Sequence, residues 1–218
     1  MSLLTKTAAV LACCVGIVWG ESWHFDEMKA GEPPRGWRVA ATNAASVPVW
    51  RVTAAKNAPS RPNVLVMAAP PKGAKGMFGY GSVFNLCYLP EPNFEEGELT
   101  VAFKALKGHE DQGGGIAWRI KGPDTYQVVR FNPLEDNLRL YYVKKGRRVM
   151  VAGADVHLAP GWHRMAVAVE GDRIRVRLDG KLLIDAEDDH IQGRGGVGLW
   201  TKADAVTAFD DFTMEKAR

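Results

Sequence analysis

Cysteine is scarce in this chain. It has 3 cysteines in 218 residues, and two of them, Cys13 and Cys14, lie inside an apolar N-terminal run. Only Cys87 lies beyond that run, so no internal disulfide can form there. Residues 83–88 around Cys87 are apolar and strand-like, and no histidine is placed beside it. That pattern reads as a buried thiol rather than a nucleophile. A strong charge of one sign is missing too. The net charge of +3 is small for this length and argues against a dedicated nucleic-acid binder. His24, His109, His157 and His190 show no metal-ligand spacing, so no zinc site is expected. No apolar run is long enough to cross a bilayer comfortably; residues 7–19 form the longest. There is no long amphipathic helix, no internal repeat, and no shift of composition that would divide the chain.

With 46% hydrophobic and 24% charged residues, the composition is that of a globular domain able to bury a core without disulfide staples. The N-terminus has the marks of a secretory signal: a single early charge, Lys6, the apolar run, and the small residues Val18 and Gly20. A signal peptide over residues 1–20 is expected, followed by one domain over residues 21–218, in a secreted or periplasmic protein. Residues 10–13, Val-Leu-Ala-Cys, also resemble a lipoprotein cleavage box, which would place a lipid anchor on Cys13. Against this, Leu11 is bulky for such a box and the apolar run continues past the cysteines. The sequence does not fix the oligomeric state.

Beyond the leader, the chain reads as short strands separated by Gly- and Pro-containing turns. Residues 23–26, 37–40, 50–53 and 63–67 are short candidates. Residues 69–82, rich in Gly, Pro and Lys, read as a long loop. The signal strengthens from Gly97, where Leu99, Val101 and Phe103 alternate with polar neighbours. Further strands are expected over residues 115–120, 125–131, 137–143 and 148–152. Residues 161–185 read as three antiparallel strands joined by turns at Glu170-Gly171-Asp172 and Asp179-Gly180. There Ile174, Val176 and Leu178 alternate with Arg173, Arg175 and Arg177, which gives one buried and one wet face. Residues 196–201 and 205–214 complete the set. The expected fold is all-β, a two-sheet antiparallel jelly-roll sandwich.

Several segments carry a family likeness. They are Gly113 to Arg119 (GGGIAWR), the hairpins of residues 161–185, the ending GGVGLWTKADAVTAFDDFTME, the start Trp23-His24-Phe25-Asp26, and Pro34-Arg35-Gly36-Trp37. Together they resemble the concanavalin A-like lectin/glucanase superfamily, whose hairpins are shared by laminin-G domains. Within it, the order of motifs is most similar to the 3-keto-disaccharide hydrolase domain family. The resemblance implies a carbohydrate partner. It also has departures. Where the hydrolase family typically shows Asn-Ser-Gly, residues 113–115 are all glycine, although Arg119 is kept. Leu199-Trp200-Thr201-Lys202 stands where that family carries Leu-Gln-x-His, and Asp210-Asp211 where it carries Arg-Asn. The family-16 glucanase signature Glu-x-Asp-x-x-Glu is absent, and with it the paired carboxylates that flank a scissile bond.

A glycan-binding face is expected from Arg119, Tyr126, Arg130, Arg139 and Tyr141, with Trp200 and Lys202 beside it. These residues supply rings for apolar sugar faces and planar polar groups for hydroxyls. The same pattern also fits a solvated β face with cross-strand Arg and Tyr pairs, and Trp200 fits a core position equally well. His163 alternates onto an apolar face with Met165 and Val167, which suits a hydrogen-bonded core residue better than a general base. An acid and base for hydrolysis would come from residues 108–112, from Glu135-Asp136 or from Asp210-Asp211. Many sandwich lectins tie their terminal strands with calcium, and Asp26 with Asp211 are candidate ligands. Three functions compete: a secreted carbohydrate-binding domain, a glycoside hydrolase, and an extracellular structural or interaction module.

Overall fold

The computed structural model describes residues 20–72 and 79–217. The leader residues 1–19, with Cys13, and residues 73–78 of the expected long loop lie outside the described residues. Fifteen strands occur among the described residues: β1 (Gly20–Trp23), β2 (Arg38–Thr42), β3 (Val49–Ala54), β4 (Asn63–Ala69), β5 (Phe84–Phe94), β6 (Gly97–Lys107), β7 (Gly114–Gly122), β8 (Thr125–Asn132), β9 (Asn137–Lys144), β10 (Arg147–Asp155), β11 (His163–Glu170), β12 (Arg173–Leu178), β13 (Lys181–Glu187), β14 (Gly195–Lys202) and β15 (Val206–Lys216). One 3₁₀ turn, Tyr80–Ser82, precedes β5.

The strands form two antiparallel sheets. One has the order β13-β12-β11-β6-β15-β4-β3, with β1 also paired to β15; the other runs β10-β9-β8-β7-β14-β5-β2. The alternation read from residues 173–178 holds: Ile174, Val176 and Leu178 are buried while Arg173, Arg175 and Arg177 are not. The turns on either side place Gly171 and Gly180 at positive φ, as tight hairpins require. Inward-facing residues of both sheets meet in one core that includes Leu99, Val101, Phe103, Ile116, Trp118, Val129, Phe131, Leu138, Val167, Val197 and Phe209. Cys87 belongs to this core, and burial pushes its thiol well above the ordinary range. His163 is hydrogen-bonded, through Nδ1 to Asp179 (2.7 Å) and Nε2 to the Ala159 carbonyl (2.7 Å).

The first strand differs from its sequence expectation. The chain pairs with β15 from Gly20 to Trp23. It then leaves the sheet, with Phe25 at φ 65° turning its ring into the core. Gly20, expected as the last residue of the leader, therefore opens β1. A bulge interrupts the alternation of β15 at its two consecutive acids, with Phe209 before them and Phe212 after them both in the core. Asp210 is fully buried and accepts hydrogen bonds from the Ser60 amide (2.9 Å), the Ser60 hydroxyl (3.0 Å) and the Asp211 amide (2.8 Å). Asp211, at φ 48°, sits at a bulge and turns out to His24.

The triple glycine has a steric origin. A Cβ on Gly113 would stand 2.2 Å from the Phe131 carbonyl oxygen, on Gly114 2.5 Å from that of Trp200, and on Gly115 2.0 Å from that of Val129. Backbone fills the space where side chains would be. Gly115→Ala is therefore expected to cost more than about 2 kcal/mol, within the range of overpacked cores. Gly161→Ala, with nothing within 4 Å of its Cβ position, should change stability by well under 1 kcal/mol, about the size of a neutral surface change. Urea unfolding midpoints compare the two directly.

Candidate functional site

The seven-stranded sheet is curled, and its outer face is concave. Arg148, on the edge strand β10, lies over Phe84 of β5, five strands along the same sheet, with its guanidinium carbon 5.0 Å from the ring centroid. A flat sheet would separate those strands by about 24 Å, more than a side chain spans. At one end the curl brings the two edges together. Asn43, just past β2, donates from Nδ2 to the carbonyls of Ser82 (3.0 Å) and of Gly146 in the β9–β10 turn (2.9 Å).

The floor of this face is a second apolar cluster, distinct from the sandwich core. It contains Phe84, Leu86, Tyr88, Ala117, Tyr126, Val128, Tyr141, Val143 and Trp200. Alternation explains the membership: residues facing outward on β5, β8, β9 and β14 are those one step away from the sandwich core. Tyr126 and Trp200 are fully buried here. The Tyr126 hydroxyl bonds Thr42 Oγ1 (2.8 Å) and accepts from Trp200 Nε1 (3.0 Å). Arg148 caps the cluster, its guanidinium carbon 4.3 Å from the Tyr141 centroid and 5.8 Å from that of Trp200. The Trp200 ring thus has Arg148 and Phe84 against it. It serves as floor rather than as an open platform for a sugar.

Next to this floor lies a network of charged and polar groups. Lys202 Nζ pairs with Asp111 Oδ2 at 2.8 Å, and Asn132 Nδ2 donates to Asp111 Oδ1 at 3.3 Å. Asp204 holds the loop carrying Asp111 by accepting the backbone amides of His109, Glu110 and Asp111 at 2.8 to 3.0 Å. Arg130 donates to Asn137 Oδ1 (2.5 Å), Glu135 Oε2 (2.8 Å) and the Tyr141 hydroxyl (3.3 Å). Burial raises the Asp111 carboxyl above its ordinary range, opposed in part by Lys202 and Arg130. Burial also works against ionisation of Glu135, but hydrogen bonds from Arg130 and Asn137 outweigh it and hold that carboxyl low. Burial lowers the Arg148 guanidinium from its ordinary value. A cavity of about 620 Å³ opens at the Asn43 end, lined by Asn43, Gly81, Ser82, Phe84, Arg147 and Arg148.

The expected face is thus largely assembled. Tyr126, Arg130, Tyr141, Trp200 and Lys202 share the concave side. Arg139 lies at its margin, across from Gly153 and paired with Asp155 at 2.8 Å. Arg119 stands apart. It occupies a bulge of β7 at φ 47° and is almost fully buried. Its guanidinium donates to the carbonyls of Glu95 (3.2 Å), Ile191 (3.0 Å) and Gly171 (2.7 Å), which ties loops of both sheets together at one end of the sandwich. Arg148, Asn43 and Thr42 were not singled out from the sequence. The signal for Arg148 was the basic run Lys144-Lys145-Gly146-Arg147-Arg148 at a turn, with Arg148 alternating outward beside Met150.

Asp26 and Asp211, the residues expected as calcium ligands, each hold a nitrogen donor. Asp26 Oδ1 accepts the Asn63 amide at 2.9 Å, and Asp211 Oδ1 pairs with His24 Nδ1 at 2.7 Å. Among the described residues no group of three or more His, Cys, Asp or Glu side chains is gathered as a metal would need. The terminal strands are joined instead by β1–β15 pairing and by these two contacts.

No family model matches this chain, and no curated protein matches it in sequence. Its fold has solved neighbours. The carbohydrate binding module CBM66 from Bacillus subtilis aligns with a TM-score of 0.60 at 16% identity, over 82% of this chain and 95% of that one. The cellulose induced protein Cip1 aligns at 0.61 with 14% identity, over 91% and 98%. The β-glucanase of Bacillus licheniformis aligns at 0.58 with 13% identity, over 91% and 98%. At such identities the likeness establishes the fold: an all-β jelly-roll sandwich of the type used by carbohydrate-binding modules and glucanases.

The opposed carboxyls yield a measurable consequence. A carboxyl held below its ordinary value of 4.5 contributes stability that is present above that pH and lost as pH falls through the folded value. The stability difference between wild type and Glu135→Gln should therefore shrink as pH drops below 4.5. Asp111 titrates in both proteins and largely cancels from the difference. Glu135 is half-exposed, so the effect should stay under about 1 kcal/mol, read by urea unfolding across an acid pH series.

Proposed function

We propose that this chain is a secreted carbohydrate-binding β-sandwich that holds a glycan on the concave face of its seven-stranded sheet. One observation carries the reading: a preformed cavity of about 620 Å³ lies beside a hydrogen-bonded network in which Lys202, Asp111, Arg130 and Asn137 are largely buried and Glu135 is half-exposed. A cavity of this size with few, fixed polar groups is the usual form of a small-ligand site. The jelly-roll neighbours support the substrate class, as does the fourth domain of a Geobacillus stearothermophilus arabinanase described in complex with arabinotriose. Secretion is supported by the leader-like residues 1–20.

The absence of catalytic machinery at the centre favours binding over cleavage. Outward positions in the middle of the central strands β7 and β14 are Gly115, Ala117, Gly198 and Trp200, none able to act as acid or base, and Lys202 at the end of β14 is paired with Asp111. A second reading, a glycoside hydrolase of the 3-keto-disaccharide type, is favoured by one feature. Asp111 and Glu135, near one another in the network, are pushed in opposite directions, as an acid and base pair would be. However, Asp111 is almost fully buried and both its oxygens are engaged.

The purified protein should bind at least one saccharide on a broad glycan array. Ser82→Trp, which fills the cavity from its rim, should weaken that binding at least about tenfold, equivalent to 1.4 kcal/mol, with little change in Tm. Full binding by this variant would move the site elsewhere. Release of sugar from 3-keto-glucosides or β-glucans, abolished in Glu135→Gln, would establish the second reading instead.

A further inference from the structure

Arg148 is the unusual group of the concave face. Its guanidinium is stacked among Phe84, Tyr141 and Trp200. Its Nη1 is buried without any hydrogen-bond partner, and among the described residues Arg148 forms no ion pair. Arg130, a buried arginine of this face, has Glu135 and Asn137, although its Nε is also buried without a partner. Arg148 is partly buried and has no such carboxylate or amide, and a covered, unsatisfied donor on a charged group is costly. The rings fix the plane of the guanidinium and occupy its faces. Only its N–H edge is left for recognition.

Arg148 is one of the residues that line the 620 Å³ cavity, although its Nη1 is itself covered. The lining contains two cations, Arg147 and Arg148, and no carboxylate. Glu110 is the acid beside this wall: its Oε1 lies 3.1 Å from where a Gly81 Cβ would stand, and Lys202 Nζ lies 4.0 Å from the same point. Among the described residues Arg148 forms no ion pair, and the nearest anion acting on it is Asp111, which is paired with Lys202. The rest of the lining mixes the polar Asn43 and Ser82 with Gly81, Gly146 and the Phe84 ring, which suits the hydroxyls and the apolar face of a sugar ring.

We propose that the cavity holds the carboxylate of an acidic sugar, a hexuronate unit of a glycan, on Arg148, with Arg147 at the mouth. This rests on the concave face being the glycan site and names the chemistry that it selects. A planar carboxylate matches the two-pronged N–H edge of arginine. It supplies a charged acceptor to Arg148, which has no ion pair among the described residues, and the ring hydroxyls fall to Asn43 and Ser82. Neutral sugars lack that charge and bind more weakly.

The test uses calorimetric titration of the whole protein with short galacturonate, glucuronate and mannuronate oligosaccharides, each beside its carboxyl-reduced neutral form. At least one acid should bind more tightly than its reduced form, by about 10- to 100-fold, the range expected for a hydrogen-bonded charged group. Its affinity should fall as salt rises. Arg148→Gln should remove that advantage, so that the acid and its reduced form bind alike. Because Arg148 also packs on the floor, Arg147→Gln provides a second check at an exposed position. It should weaken the acid about two- to fivefold, as solvent-exposed pairs do, with Tm unchanged. Equal binding of acid and reduced forms, or acid binding indifferent to both substitutions, overturns the proposal while leaving glycan binding intact. Binding of no saccharide, acidic or neutral, on the array or in titration overturns both.

Discussion

One side-chain amide closes the seven-stranded sheet on itself. Asn43 Nδ2 donates to Ser82 and to Gly146, residues at opposite ends of the sheet order. Gly146 must be glycine there. It sits at φ 74°, and a Cβ would stand 2.5 Å from Asn43 Oδ1. The contact acts together with the Thr42–Tyr126 hydrogen bond and the backbone bond from the Gly146 amide to the Asp124 carbonyl, which also hold this end of the sheet closed. Arg148, two residues past Gly146, lies over Phe84 beside this juncture.

The charges on this face divide into two groups with different physics. Around Lys202 and Arg130 each cation has a carboxylate and further hydrogen bonds, so removal from water is largely offset. Around Arg148 the offset comes mainly from π faces, with Asp111 acting from further off. The first group is largely a structural network, with only the Arg130 Nε left over. A cation without an ion pair, as at Arg148, is where an external anionic ligand gains the most. The distinction also separates Arg119 from the site: its N–H groups are spent on backbone carbonyls, and it locks the far end of the sandwich.

Much of the fold was legible from alternation. Residues 173–178, 97–107 and 125–132 face the way their pattern says, because period-two burial is a direct consequence of strand geometry. The concave face was partly legible for the same reason: Tyr126, Arg130 and Tyr141 share a side by parity. What parity cannot give is curvature. Without it, nothing indicates that Arg148 reaches Phe84 or that Trp200 lies beneath a guanidinium. Arg119 was misleading because a bulge breaks the alternation at β7, and the bulge depends on tertiary contacts. The triple glycine read as a lost polar motif. Its cause is close backbone approach from Phe131, Trp200 and Val129, which no local pattern encodes. Asp26 and Asp211 were sensible oxygen donors on paper, and in the fold each holds a nitrogen donor, from Asn63 and His24.

The Asn43–Gly146 contact also bears on how the molecule folds. It joins residues 103 positions apart, and it can form only after the strands between have paired in register. Contacts so distant along the chain cost loop entropy before they return any stability. The hairpins of β11 to β13, by contrast, can form locally and early. The cavity is thus a late product of assembly. A ligand that occupies it binds only completed molecules. It would draw the folding equilibrium towards them by mass action, so occupancy doubles as a census of chains that have finished folding.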